Sequence, residues 1–160
     1  MATVVYLLLG SNEGDRFFHI LEGKRMLQTS VGNINKQSSL YETAAWGHTQ
    51  QPDFLNAVVK INTTKTATEL LQSIQQIEAH LGRQRTVPWG QRTLDIDILF
   101  FGNQVIQQSD LQIPHPYLHQ RRFTLLPLSE IAPGLIHPIF KKRISTLLKE
   151  CSDSLAVKKL

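Results

Sequence analysis

The chain has little of what marks several classes of protein. Its 160 residues include a single cysteine, Cys151, so no internal disulfide can form, which suits a reducing compartment. The longest N-terminal apolar run, "VVYLLL", stops after six residues at "GSN". That is too short for a signal-peptide core and far too short for a membrane span. No basic run exceeds "KKR" at 141–143. There is no internal repeat, low-complexity stretch or linker. Phosphate-binding signatures are missing too: G-x-x-x-x-G-K-[ST] does not occur, "GSNEGD" does not satisfy G-x-G-x-x-G, and the protein-kinase set is absent. The expectation is a cytoplasmic protein with one domain over 1–160, no membrane partner, and a monomer as the default state.

What is present is ordinary in bulk. Apolar residues make up 41% and charged residues 19%, as in soluble globular domains. A formal net charge of +4 suits nucleic acid or a small anionic ligand such as a nucleotide. The arginines gather between 83 and 92 and at 121–122.

Periodicity gives a coarse outline. Residues 3–9 read as a strand. Asp15 is placed to cap a helix over 16–30, with Phe17, Ile20, Leu21, Lys24 and Leu27 near one face. "INKQSSLYET" (34–43) reads as a polar strand and "FLNAVVKINTT" (54–64) as another. Thr66 and Glu69 form a capping box, and Gly82 closes the helix they open. That helix carries the stripe Leu70, Leu71, Ile74, Ile77 and Leu81, with Gln75 and Glu78 on a neighbouring face. A strand follows at 94–101, then a short strand "QVI", a proline-rich corner and two short helices, 123–131 and 144–151. The pattern is α+β, with an antiparallel or mixed sheet and helices packed on it.

The segment "RTLDIDILFFG" (92–102) stands out. Aspartate is a poor strand residue, and an unpaired buried carboxylate is costly. Alternation puts Asp95, Asp97 and Leu99 on one face and Leu94, Ile96, Ile98 and Phe100 on the other. The two Cβ atoms are then about 6.5–7 Å apart, so the carboxylates can converge on one or two small cations. Oxygen ligands without a cysteine or histidine pair suit Mg²⁺. A solvated pair of surface aspartates is the plainer reading of an arbitrary D-x-D, but this one lies in the most apolar segment of the chain. Directly before it, Arg83, Arg85 and Arg92 can clamp phosphates, Trp89 can cover or stack, and Gly82 and Gly90 can hinge. A loop closing over MgATP joins these features. "PHPYLHQRRF" holds His115 between prolines, with Arg121 and Phe123 after it. In "QPDFLNA", Phe54 and Asn56 share a strand face and suit a flat heterocycle, or ordinary core.

Taken in order, "LGSN", "QPDFLNA", "IEAHLGRQR", "WGQRTLDIDILFFG" and "IPHPYLHQRRF" resemble the 6-hydroxymethyl-7,8-dihydropterin pyrophosphokinases of folate biosynthesis. The resemblance implies a ferredoxin-like sandwich. It also implies transfer of pyrophosphate from ATP to the pterin hydroxymethyl group without a covalent intermediate, with AMP released. Asp95 and Asp97 would hold two Mg²⁺ ions, with Arg83 and Arg92 assisting catalysis. Arg85, Arg92, His115 and Arg121 would meet phosphates, Gln75 and Glu78 would hold the nucleotide, and Leu71, Ile98 and Leu111 would surround adenine. Phe54 and Phe123 would sandwich the pterin, with Gly10, Thr43, Ala45, Trp46, Gly47 and Asn56 at its edge and Trp89 closing over it. Pro88 stands where that family usually has a charged residue, Gln91 where it has a small residue or proline, and Phe54 where it often has tyrosine. Two other readings compete: a ferredoxin-like module binding single-stranded nucleic acid through its arginines and aromatics, and another two-metal phosphoryl or nucleotidyl transferase. The family resemblance implies small-molecule substrates and no nucleic-acid partner.

Overall fold

In the computed structural model, which describes residues 1–44, 51–82 and 93–160, the chain is built on one antiparallel sheet. The strands are β1 (Thr3–Ser11), β2 (Gly32–Gln37), β3 (Tyr41–Thr43), β4 (Phe54–Thr63), β5 (Asp95–Phe101) and β8 (Val157–Lys159). They run in the order β5-β1-β4-β3-β8, with β2 also paired to β4. A small hairpin of β6 (Ile106–Gln107) and β7 (Gln112–Ile113) stands apart. Four α-helices complete it among the described residues: α1 (Arg16–Ser30), α2 (Ala67–His80), α3 (Arg122–Ile131) and α4 (Ile144–Glu150). With β2 and β3 sharing one flank of β4, the order is that of a βαββαβ unit with two split βαβ crossovers, the ferredoxin-like arrangement.

The sheet separates two apolar clusters. On one face Leu7, Leu9, Leu55, Val59, Ile61, Ile96 and Ile98 meet Ile20 and Leu27 of α1 and Leu70, Ile74 and Ile77 of α2. On the other, Tyr6, Leu8, Val58, Leu99 and Phe100 meet Leu125, Leu128 and Ile131 of α3 and Ile144 and Leu147 of α4.

Local signals hold at both helix starts. Asp15 accepts the Phe18 N–H at 3.1 Å, and Thr66 and Glu69 close their reciprocal box. Gly82 follows α2 with φ +86°, a left-handed conformation that favours glycine.

The face expected for α1 packs only in part. Phe17 and Leu21 are 52% and 68% exposed, while Ile20, Gly23 and Leu27 are buried. A Cβ on Gly23 would lie 2.7 Å from Leu94 Cδ2 and 3.2 Å from Leu9 Cδ2. The helix therefore meets the sheet most closely at a residue with no side chain. Residues 34–43 form two short strands rather than one, because the chain leaves β4 at Ser38, whose hydroxyl accepts the Val58 N–H. The strand expected at "QVI" begins later, at Ile106, and pairs with Gln112–Ile113 inside the proline-rich corner.

Strict alternation also fails within β5. Leu7 pairs with Ile98 but Tyr6 with Phe100, so Leu99 is an extra residue in the ladder. A bulge of this kind re-aims the chain beyond it. Leu99 and Phe100 both join the α3 cluster, and Phe101 takes the α1–α2 face expected for Phe100. Asp95, Asp97, Ile96 and Ile98 lie before the bulge and keep their expected faces. The strand β8 has no counterpart in the expected order.

Candidate active site

The pairing register lines up four residues across the sheet. Asp95 of β5 stands opposite Gly10 of β1, Gly10 opposite Asn56 of β4, and Asn56 opposite Tyr41 of β3. Residues opposed in this way share a face, here the face on which α3 packs. Two positions to one side of this row Asp97 stands opposite Leu8, and two positions to the other side Thr43 stands opposite Phe54.

Gly10 gives this row its shape. A Cβ there would lie 2.6 Å from Asn56 Oδ1 and 3.6 Å from Phe54 Cδ1, so only glycine lets the Asn56 amide lie across β1. Asn56 is 2% exposed, and its Nδ2 has no hydrogen-bond partner among the described residues. Such an unsatisfied donor costs about 1–3 kcal/mol, and an acceptor on a bound ligand would relieve it.

β5 is an edge strand, so a ligand beside it can reach both faces. A cleft of about 170 Å³ runs along that edge, lined by Leu71, Ile74, Gln75, Glu78, Asp95, Ile96, Asp97, Ile98, Asp110, Leu111, Gln112 and His115. Eight residues expected to meet ATP or metal are thus brought together: Leu71, Gln75, Glu78, Asp95, Asp97, Ile98, Leu111 and His115. Glu78 has a defined local task as well. It is 4% exposed, and its carboxylate accepts the Ile96 N–H at 2.8 Å, fixing α2 against β5. Ile74, Ile96, Asp110 and Gln112 were not among the expected site residues. Asp110 and Gln112 flank Leu111 on a segment whose course only the β6–β7 pairing reveals.

His115 is seated by its own N–H, which donates to the Leu99 carbonyl at 3.1 Å. Its Nδ1 accepts the Tyr117 N–H at 3.2 Å, which leaves the neutral ring's proton on Nε2. That atom lies 4.0 Å from Asp97 Oδ2. Burial, and then the Arg121 charge, push the imidazole down to about 4, so at neutral pH it is an uncharged Nε2–H donor facing the cleft.

Arg121 immediately precedes α3 and is 5% exposed. Its guanidinium lies 5.0 Å from the Tyr117 ring centroid and 5.6 Å from that of Phe123, within range of cation–π attraction. Burial lowers its pKa, while Asp97 and Asp95 pull it upward. Arg121 therefore stands in the field of the acidic pair, and α3 brings Phe123 to the same end of the sheet. Ala45, Trp46, Gly47, Arg83, Arg85, Trp89 and Arg92, with Pro88, Gly90 and Gln91, lie outside the described residues.

The donor set fits Mg²⁺. Asp95 and Asp97 offer oxygens only, from one face of one strand. No group of three or more His, Cys, Asp or Glu side chains able to enclose a metal occurs among the described residues. Mg²⁺ is commonly held this way, by one or two carboxylates completed by water and substrate phosphates.

Residues 6–133 match the family model described as 7,8-dihydro-6-hydroxymethylpterin-pyrophosphokinase. The chain is 44% identical over 150 residues to an Aquifex aeolicus protein named 2-amino-4-hydroxy-6-hydroxymethyldihydropteridine pyrophosphokinase, covering 94% of this chain and 92% of that one. A Bacillus subtilis protein of the same name is 44% identical over 132 residues, covering 82% and 79%. Among solved structures, wild-type Plasmodium falciparum HPPK-DHPS with pteroate superposes with a TM-score of 0.77 at 18% identity, over 94% of this chain and 42% of that longer one. That likeness concerns the fold. No helix among the described residues is long and apolar enough to cross a membrane.

Proposed function

The chain belongs to the 7,8-dihydro-6-hydroxymethylpterin-pyrophosphokinase family, enzymes of pyrophosphate transfer in folate biosynthesis, and from that premise we propose how its residues divide the reaction. ATP lies along the β5 edge, and the reduced pterin lies on the α3 face over Gly10 and Asn56. The acidic pair stands where the two meet. The observation that carries this is the row Asp95–Gly10–Asn56, in which an amide donor, buried and without a partner among the described residues, stands two strands away from a metal-type carboxylate, with only Gly10 of β1 between them.

Leu71, Ile98 and Leu111 form the apolar walls for adenine, with Gln75 and Glu78 beside them. The His115 Nε2–H and the Arg121 guanidinium donate to phosphate oxygens. Arg83, Arg85 and Arg92 add cations by family resemblance, Arg83 and Arg92 acting as transition-state charge partners. Asn56 donates Nδ2–H to an acceptor on the pterin edge, while Thr43, Ala45, Trp46 and Gly47 supply the rest of that edge. Phe54 and Phe123 hold the ring faces, and Trp89 excludes water above them.

Asp95 and Asp97 would ligate two Mg²⁺ ions, which offset the triphosphate charge and favour ionisation of the pterin hydroxyl. The hydroxymethyl oxygen then attacks the β-phosphorus in line. The bond from that phosphorus to the α,β-bridging oxygen breaks, and AMP leaves. No enzyme nucleophile is needed. The small-ligand cleft favours this over a nucleic-acid module.

The test is a product assay with MgATP and 6-hydroxymethyl-7,8-dihydropterin. AMP and the pterin diphosphate are expected in equal amounts; ADP as the main nucleotide product, or no turnover, overturns the assignment.

A further inference from the structure

α3 begins without a side-chain cap of its own. Arg121 occupies the N-cap position, and its side chain makes no capping hydrogen bond there. The first N–H groups of a helix need acceptors from elsewhere. Here the Arg122 N–H donates to Asp153 Oδ2 at 3.0 Å, across 31 positions of sequence. The other carboxylate oxygen accepts the Leu155 N–H at 3.0 Å, which turns the chain into β8.

β8 then lies along β3, with Val157 opposite Thr43 and Lys159 opposite Tyr41. The Thr43 hydroxyl donates to the Ala156 carbonyl at 2.9 Å, and the Leu160 N–H donates to the Leu40 carbonyl at 2.9 Å. One short segment thus grips two walls of the proposed pterin site: the strand ending at Thr43, and the helix start that carries Arg121 and Phe123. It lies beyond residues 6–133, the stretch that the family model matches. The cleft along β5 is lined by α2, β5 and residues 110–115, none of which makes these contacts.

We propose that Asp153 is a positioning residue for the pterin side of the site, holding the start of α3 and the end of β3 in register through the C-terminal strand. The role rests on the assignment of Thr43 and Phe123 to the pterin. Asp153 touches neither substrate; it acts through the α3 N-terminus and the β8–β3 pair. Its charge also favours the guanidinium of Arg121. Arg121 keeps its stacking on Tyr117 and its proximity to Asp95 and Asp97 without Asp153, so the effect falls on the pterin more than on ATP.

The experiment compares wild type, Asp153→Ala and Asp153→Asn. Pterin binding is titrated by fluorescence at saturating levels of a non-transferring MgATP analogue, binding of that analogue is titrated alone, and amide exchange is followed at Arg122. In Asp153→Ala the Arg122 amide should exchange faster and the pterin Kd should rise about fivefold, the scale of a lost cap, with the nucleotide Kd moving less than about twofold. Asp153→Asn keeps one acceptor oxygen for the two N–H groups that Asp153 serves, so its Arg122 exchange and pterin Kd should fall between wild type and Asp153→Ala, and it decides the question by the same criteria if the alanine variant does not fold. Unchanged exchange at Arg122, unchanged pterin affinity, or equal weakening for both ligands overturns the role. A wild-type chain that does not bind the pterin overturns the pterin-site assignment and this role with it.

Discussion

Two neighbouring rows of the same sheet have opposite characters. In one, Ile96, Leu9 and Ala57 face each other across β5, β1 and β4, and all are apolar and at most 5% exposed. In the next, displaced by a single residue, stand Asp95, Gly10, Asn56 and Tyr41. The pleat sends the first row toward α1 and α2 and the second toward α3. At these two rows, therefore, the same strands bury apolar side chains on one face and carry polar groups of the proposed site on the other. Changes in the two rows should fail in different ways.

The largest separation is expected at Asp95. Asp95→Asn keeps the size of the side chain but removes a metal-type ligand, and turnover should fall roughly a thousandfold. The melting temperature should change little. Activity within tenfold of wild type in saturating Mg²⁺ would remove Asp95 from the proposed mechanism.

Leu9→Ala, one position from Gly10, should show the converse. Leu9 is fully buried among α1 and α2 side chains, so its truncation should cost about 3 kcal/mol in denaturant unfolding. Turnover per folded molecule should stay near wild type. A large loss of kcat in folded Leu9→Ala would show that the two faces are not separable.

A smaller, pH-dependent effect divides two histidines the same way, one half-buried and one buried. His115 lies by the cleft, and His137 lies under Phe100 and Phe140 in the α3–α4 half. Burial first, then a neighbouring positive group, lowers each from 6.5 to about 4. Below pH 6.5 the unfolded imidazoles take up protons that the folded ones refuse until about pH 4. The unfolded chain thus binds more protons within that window, and stability falls as pH drops through it, by at most about 1.4 kcal/mol per pH unit for each histidine. His137→Asn keeps an acceptor for the Ile139 and Phe140 N–H groups, which His137 Nδ1 now serves. It should remove its share of the slope in urea unfolding at stepped pH. Bound MgATP should affect the His115 share alone. An unchanged slope in His137→Asn would show that this histidine is not held neutral.

Much of this division can be read in the sequence where neighbours in the chain are also neighbours in space. Asp15, Thr66 and Glu69 satisfy donors within one helical turn. The two aspartates share a face because two residues is the strand period. Gly23 was hidden because hydrophobic periodicity has no symbol for a close approach made by a missing side chain. The expected α1 face accordingly took in Phe17 and Leu21 beside Ile20 and Leu27. The bulge at Leu99 depends on how β1 pairs with β5, and "DIDILFF" carries no mark of it. Asp153 and Thr43 are brought together by a strand pairing that spans most of the chain. The sequence puts Glu78 beside the apolar stripe of α2, and only the fold shows it accepting a strand N–H.

The outer flanks of the sheet have one more consequence. Exposed strand edges invite pairing with a second molecule and seed aggregation. On β5 the Ile96 N–H is already held by Glu78 and the Leu99 carbonyl by the His115 N–H, with two carboxylates flanking them. On the opposite flank β8 carries Lys158 and Lys159, whose charge repels a second copy of the same strand. The contacts that line the proposed nucleotide cleft thus also guard an apolar edge strand against self-association. A variant lacking Glu78 would be exposed to that hazard even where its catalytic groups survive.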